Sequence, residues 1–491
     1  MIEKRQFYIG GRWVEPLGPD QMDVVNPANE ETVGIISMGT AADVDKAVSA
    51  AKDAFPGWAE TSIDERAALI ERIIEVYKRR TPEMDAAIRL EMGAPQTFAR
   101  EQQTPAGIGH LMATLEALKS HRFERPSPRG GSLIVHEPVG VCGLITPWNW
   151  PINQIAAKVA PALAAGCTMV LKPSEIAPLS ALLFAEMLDE AGCPAGVFNL
   201  INGDGPTVGA AMSAHPDIDM MSFTGSTRAG VSVAQNAAPT VKRVALELGG
   251  KSANLLFADA DLESAIRYSL ESCFLNSGQS CDAPTRLLVE AKVYDLAVDL
   301  AAEFAGQTRV GDPAREGAHI GPVISGLQYE KIQGHIERAI ADGARLVAGG
   351  PGKPDGFDRG FFVKPTVFAD VTNSMAIART EVFGPVLVMI PFQTEEEGIA
   401  MANDTPYGLA AYLQTGDQDR ANRVARKLRA GSVYINGGSP DWDVPFGGYK
   451  QSGNGREYGE FGLEDFLEVK AITTAWVWSF DQANTSNFSR I

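Results

Sequence analysis

A doubly wound α/β fold is predicted, on three observations. From residue 139 onward, short continuous apolar runs alternate with helical stretches, the pattern of parallel strands buried on both faces. The turns between them carry Gly, Pro, Ser and Asn, as strand-to-helix turns do. The chain of 491 residues is 45% hydrophobic, which is material for two or three domains.

The elements follow in order. Phe7–Val14 reads as a short strand-forming segment. In 41–56, Val44, Ala47, Val48, Ala51 and Phe55 recur at helical spacing. A second amphipathic helix over 64–80 turns Ala68, Leu69, Ile73 and Val76 inward. VGVCGLI (139–145) is the first buried strand, and TPWNWP is its turn. A helix follows from about Ile152 to Ala165, with Gly166 placed to end it. TMVL (168–171), a helix at 178–191, VFNLI (197–201), DMMSF (219–223), TGSTRAG and VKRVALEL (241–248) complete the first series. Gly249–Gly250 marks a domain boundary. A second series begins with ANLLF (253–257), followed by a helix capped by Asp259 or Asp261. TRLLVE (285–290), a helix at 292–306, FVKPTVF, PVLVMIPF and SVYIN continue it. Residues 119–130 and 466–491 fit neither sheet and read as arms.

A formal charge of −18 argues against nucleic acid or an anionic membrane as partner. The cysteines are Cys142, Cys167, Cys193, Cys273 and Cys281, an odd number without CxxC spacing, and no HExxH is present. No disulfide framework and no metal site is therefore expected, and a reducing, cytoplasmic setting fits. The N-terminus lacks the apolar core of a secretory signal, and the apolar stretch 155–171 is broken by Lys158, Pro161 and Gly166.

Five places carry candidate chemistry. Cys281 ends the small, polar loop NSGQSC, where a thiol can be reached and can act as a nucleophile, although most lone cysteines are inert. Glu247 ends an apolar strand in LELGGK, where burying an acid is costly unless it is paired or used as a base. Asn149 lies in the turn after a strand, at the carboxyl edge where ligands gather. Its amide can serve an oxyanion, or simply cap a turn. Lys172 and Glu175 in LKPSE are placed to reach a ribose, or to pair on the surface. Gly225, Ser226 and Gly230 in FTGSTRAG open a helix whose N-terminus attracts a phosphate, although the fingerprint GxGxxG is absent.

Taken jointly, PWNWP, LKPSE, FTGSTRAG, LELGGK, NSGQSC, EVFGPV and PFGGYKQSG resemble the aldehyde dehydrogenase superfamily from GGRWVEP to EVKAIT. The resemblance implies a Rossmann-like cofactor domain (1–119 with 138–249) and an α/β catalytic domain (250–440). It also implies a small β oligomerisation arm (120–137 with 466–491) and a return segment, 441–465, that completes the active-site wall. It implies that Cys281 attacks an aldehyde to form a thiohemiacetal, that Asn149 stabilises its oxyanion, and that Glu247 activates water against the thioester. Lys172 is assigned to the catalytic set as well as to the cofactor. Cofactor contacts are implied at Ile145, Thr146, Pro147, Trp148, Lys172, Ser174, Glu175, Gly205, Phe223, Gly225, Ser226, Leu248, Glu381 and Phe383. The carboxylate of Glu175 favours NAD, with NADP possible. Glu247 points to water rather than coenzyme A as the acyl acceptor.

A mixed aromatic and polar substrate wall is expected at Trp150, Asn153, Gln154, Leu275, Asp282, Trp442 and Phe446, suited to a medium-sized or unsaturated aldehyde. Asp282 beside the nucleophile would raise its pKa if it points inward. A homodimer or homotetramer is implied, with Trp476, Trp478 and Phe480 covering a neighbour. The alternatives are a catalytically silent, crystallin-like member and a thiol esterase.

Overall fold

The computed structural model describes residues 1–473, so the aromatic segment with Trp476, Trp478 and Phe480 lies outside it. Two seven-stranded sheets organise the chain. The first contains β1 (Phe7–Ile9), β2 (Arg12–Val14), β3 (Val141–Ile145), β4 (Thr168–Lys172), β5 (Phe198–Leu200), β6 (Met220–Gly225) and β7 (Arg243–Leu248). Their spatial order is β7-β6-β3-β4-β5-β1-β2. Strands β3 to β7 pair in parallel, while the β1–β2 hairpin joins the edge antiparallel, with Leu200 opposite Tyr8. The chain runs from β3 towards β5 on one side and returns through β6 and β7 on the other. The strand order therefore reverses between β3 and β6, and a crevice opens there at the carboxyl ends.

The second sheet contains β8 (Ala253–Leu256), β9 (Arg286–Glu290), β10 (Arg345–Ala348), β11 (Thr366–Ala369), β12 (Val386–Phe392), β13 (Ala410–Gln414) and β14 (Ser432–Ile435), in the order β10-β11-β12-β9-β8-β13-β14. Only β10 pairs antiparallel. The chain leaves the first sheet at Leu248 and enters the second at Ala253, across Gly249–Gly250. Glu124–Pro126, Ser132–Pro138 and Leu467–Thr473 form a separate sheet, in which Ser132–Pro138 pairs antiparallel with both of the others.

Helices pack on the faces for the reasons their sequences give. Pro151–Ala165 is buried throughout, because it lies between the first sheet and neighbouring helices, and Gly166 ends it at φ +92°. The helix expected over 64–80 spans Ile63–Met92. Pro82 does not end it, because Met84, Ile88 and Met92 continue the buried stripe beyond it. Ser62 and Glu65 supply a capping box at its start. Among the described residues, no helix is long and apolar enough to cross a membrane.

Gly166 is the cap whose replacement is most legible. A Cβ there would sit 2.9 Å from Arg66 Nη1 in a left-handed conformation. Gly166→Ala is expected to lose about 1–3 kcal/mol of stability in chemical unfolding. An unchanged midpoint and slope would show that the turn tolerates a side chain.

Candidate active site

The crevice between β3 and β6 continues into a cavity of about 310 Å³. It is lined from the first sheet by Pro147, Trp148, Asn149, Thr224, Gly225, Ser226, Glu247 and Leu248. The second sheet's side contributes Cys281, Glu381 and Phe383. Five separate motifs of the sequence thus meet in one space. Cys281 is half-buried there, while the other four cysteines are fully buried.

The loop before Cys281 is strained. Asn276, Ser277 and Gly278 stand consecutively in the left-handed region, at φ +54°, +57° and +72°. Asn tolerates this and Gly invites it, but Ser277 does so at a cost of order 1 kcal/mol. Hydrogen bonds hold the loop in place. Ser277 Oγ donates to the Gly321 carbonyl (2.8 Å), Gln279 Nε2 donates to the Asn276 carbonyl (3.0 Å), and Gln279 Oε1 accepts from Ile324 N (2.9 Å).

Asn149 ties this loop to the first sheet. Its Nδ2 donates to the Gln279 carbonyl (2.9 Å), while its own carbonyl accepts from Gln103 Nε2 (3.0 Å) and Asn276 Nδ2 (2.8 Å). One N–H of the Asn149 amide remains for a ligand. Trp150 adds a second tie, its Nε1 donating to Ser280 Oγ (2.9 Å).

Glu247 is 3% exposed, and neither carboxylate oxygen has a hydrogen-bond partner. Burial, and then the neighbouring Glu457, hold its carboxyl well above the usual range, while Lys158 and Arg456 oppose. Lys158 and Glu457 form a buried ion pair at 2.5 Å, with Lys158 also on Ser222 Oγ at 3.0 Å. The Gly-Gly after Glu247 is required by contact. A Cβ at Gly249 would meet the Glu381 carboxylate at 2.1 Å, and one at Gly250 the Cys281 carbonyl oxygen at 2.6 Å. Glu381 Oε1 accepts from Gly250 N (2.9 Å), and burial pushes its carboxyl up to about 7.

The remaining cofactor candidates gather at the strand ends. Ile145 lies beside Lys172 in the sheet register, Phe223 and Leu248 are buried, and Thr146 keeps an unpartnered hydroxyl. Lys172, expected in the catalytic set, ends its strand with its ammonium held by neighbours. Its ammonium donates to the carbonyls of Pro173 (2.9 Å) and Gly203 (2.6 Å) and to Glu175 (3.1 Å), and it does not line the cavity of Cys281. Glu175, expected beside the cofactor, thus lies within hydrogen-bond reach of Lys172. Ser226 caps the helix Thr227–Ala237 by accepting from Ala229 N (3.3 Å), and that helix N-terminus opens on the cavity.

The expected substrate wall divides. Trp442 and Phe446 pack with Tyr458, Ala157 and Leu409 around Cys281. Phe446 stacks on Tyr458 at 4.9 Å, and His110 meets both Trp442 and Tyr458 at 4.6 Å. Asn153 accepts from His110 Nε2 (2.8 Å), and burial pushes that imidazole down to about 4, so it stays neutral. Gln154 instead lines the cavity with Glu247 and Leu248, and Leu275 lies on a separate groove with Phe98 and Arg267. The helix starting at Pro151 turns Gln154 away from Asn153. Asp282 is half-buried near the tyrosines 268, 412 and 434, whose hydroxyls feel its charge.

Sequence reasoning missed the clamp residues Gln103, Asn276 and Gln279, the aromatic partners His110 and Tyr458, and the pair Lys158–Glu457. It also missed Gln328, Lys331 and His335, which line the cavity from one helix. Lys158 carried a usable signal, since a lysine inside an apolar helix demands a partner. The spacing of Gln328, Lys331 and His335 marks a shared helical face.

Fold and site together define a class: an α/β enzyme with a dinucleotide-type crevice and a cysteine at its floor. The chain belongs to the aldehyde dehydrogenase family, whose model matches residues 13–472. It is 54% identical, over 96% of this chain and 99% of the relative, to a 3-succinoylsemialdehyde-pyridine dehydrogenase of a Pseudomonas species. Its fold matches an aldehyde dehydrogenase from Bartonella henselae at TM-score 0.95, with 52% identity over 96% of this chain and all of that one. It matches a mutant of aldehyde dehydrogenase C from Pseudomonas syringae, solved with NAD+ and octanal, at TM-score 0.94 and 53% identity, over 96% of each chain. NAD(P)-dependent oxidation of aldehydes is the activity of such a protein.

The thiol of Cys281 is pushed well up by burial, and further by Asp282, Glu381 and Glu247. Removing a negative charge lowers a thiol pKa, so Asp282→Asn is expected to move the pH profile of Cys281 alkylation by iodoacetamide to lower pH. A profile that stays in place would show that Asp282 faces away from the sulfur.

Proposed function

We propose that this protein oxidises a medium-sized aldehyde to its carboxylic acid, using NAD, with Cys281 as nucleophile and Glu247 as the base for hydrolysis. The observation that carries the reading is a reachable thiol and an unpartnered buried carboxyl lining one cavity. The cavity suits a dinucleotide: Thr224 and Gln154 carry unpartnered buried oxygens beside it, and a helix N-terminus opens on it. Ser226 would hold the pyrophosphate, Lys172 and Glu175 the adenosine ribose, and Glu381 and Phe383 the nicotinamide end. When bound, the nicotinamide supplies the hydride acceptor.

The chain's own residues do the rest. Cys281 Sγ bonds to the aldehyde carbon, while the free N–H of Asn149 and the Cys281 backbone N–H stabilise the oxyanion. After oxidation to the thioester, Glu247 takes a proton from water, whose oxygen displaces the sulfur. A base of raised pKa is stronger than an ordinary glutamate, and Lys158–Glu457 stands beside it to pass the proton onward. Glu175 would repel a 2′-phosphate, which favours NAD over NADP. We further propose a homo-oligomer joined through the arm sheet, in a reducing cytoplasm that suits five free thiols.

The apolar rings around Cys281 favour substrates that fill them. One similar protein is solved as a mutant with octanal bound and another is named for a pyridine semialdehyde, and both aldehydes are larger than acetaldehyde. NADH production should rise roughly fourfold in kcat/KM per added methylene from acetaldehyde to hexanal, on about 0.8 kcal/mol per buried CH₂. Cys281→Ala should abolish it, and NADP should serve less well than NAD. A preference for acetaldehyde or for NADP would contradict the substrate and cofactor readings respectively. Ester hydrolysis without any aldehyde oxidation would contradict the whole.

A further inference from the structure

Outside the catalytic cavity, one polar cluster is built with a ring nitrogen left unpartnered. His121 follows the helix Thr104–Ser120 and is its C-cap residue. Its side chain is 3% exposed, and its Nδ1 has no hydrogen-bond partner. The opposite nitrogen, Nε2, lies 2.8 Å from His136 Nδ1, on the strand Ser132–Pro138. Facing the free Nδ1 are Glu460 and Glu464, one turn apart on the helix Gly459–Asp465. One oxygen of each carboxylate and His121 Nδ1 all lie within 4.8 Å of one another.

We propose that His121, Glu460 and Glu464 bind a divalent cation of the zinc type. The Nδ1 to Glu460 separation is 3.5 Å, which is too long for a good hydrogen bond. It matches the edge of a zinc tetrahedron, where ligands about 2.0–2.1 Å from the ion stand roughly 3.4 Å apart. With the His121 Nε2–H donating to His136, a lone pair on Nδ1 faces two carboxylates. Three acceptors grouped within 4.8 Å of one another call for a cation between them. A ring nitrogen anchored by a second histidine is the outer support that metal-binding histidines use. Two carboxylates and one imidazole suit zinc, with water in the fourth position. The ion would join three parts of the chain: the end of a body helix, the return segment, and, through His136, the arm sheet. His136 lies opposite Val469 in that sheet.

The test uses the full chain in a Cys281→Ala background, which removes the one accessible thiol. Metal-stripped protein is dialysed against zinc chloride, and bound zinc and thermal melting are measured. A single zinc per chain is expected, with a higher melting temperature. Both effects should be lost in Glu460→Gln/Glu464→Gln, a surface change that leaves the core intact. His136→Gln should weaken binding about tenfold while keeping the stoichiometry. NADH production by the same double substitution in otherwise native protein reports that it folds. Absence of zinc uptake, or uptake that the double substitution leaves undiminished, would overturn the proposal.

Discussion

At Glu247 the protein keeps a carboxyl group out of water and gives it no hydrogen bond. Leaving such a group unpaired costs on the order of 1–3 kcal/mol or more, and the surroundings are arranged around that cost. Gly249 and Gly250 remove side chains so that Glu381 and the Cys281 carbonyl can close in on the strand end. Gly447 does the same on the far side, where a Cβ would meet Glu247 Oε1 at 2.7 Å. The Lys158–Glu457 pair sets a balanced charge close by instead of neutralising Glu247 directly. A carboxyl held in this way stays basic and stays free to meet a water molecule.

That arrangement is useful only if the nucleophile is fixed against it, and nucleophile and base come from opposite sides of the chain's division. Asn149 makes the joint. Its turn belongs to the first sheet, yet its amide and carbonyl are both bonded to the strained loop that carries Cys281. The same side chain therefore aligns the two halves and offers a donor to the reacting oxygen. The left-handed run Asn276–Gly278 is tolerated because Gln279, Ser277 and Asn276 are each tied down.

Much of this was legible in the sequence, and the limits have physical reasons. Apolar runs mark most of the strands from β3 to β14, because parallel strands buried on both faces leave a plain signature, but β10 and β13 were not expected. The helix expected over 64–80 runs on through Pro82 to Met92, because packing of its buried stripe continues beyond the proline. Cys281, Glu247 and Asn149 stood out through their turns. The groups that hold them did not, because Gln103, Gln279 and His110 act through contacts between segments far apart in the chain. The motif of Lys172 was legible, but its partners were not, since two of its three hydrogen bonds go to backbone carbonyls, one of them 31 residues away. Asn153 and Gln154 are adjacent in sequence but face different spaces, which helix geometry decides and a motif does not.

The division of labour between Cys281 and Glu247 is tested most directly by trapping. Glu247→Gln keeps the shape of the site and removes the base. Mixed with aldehyde and NAD, it should release one equivalent of NADH per active site and then stall. Intact-protein mass spectrometry should show the acyl group retained on the peptide that contains Cys281. Full turnover by Glu247→Gln, with no acyl adduct, would contradict the account.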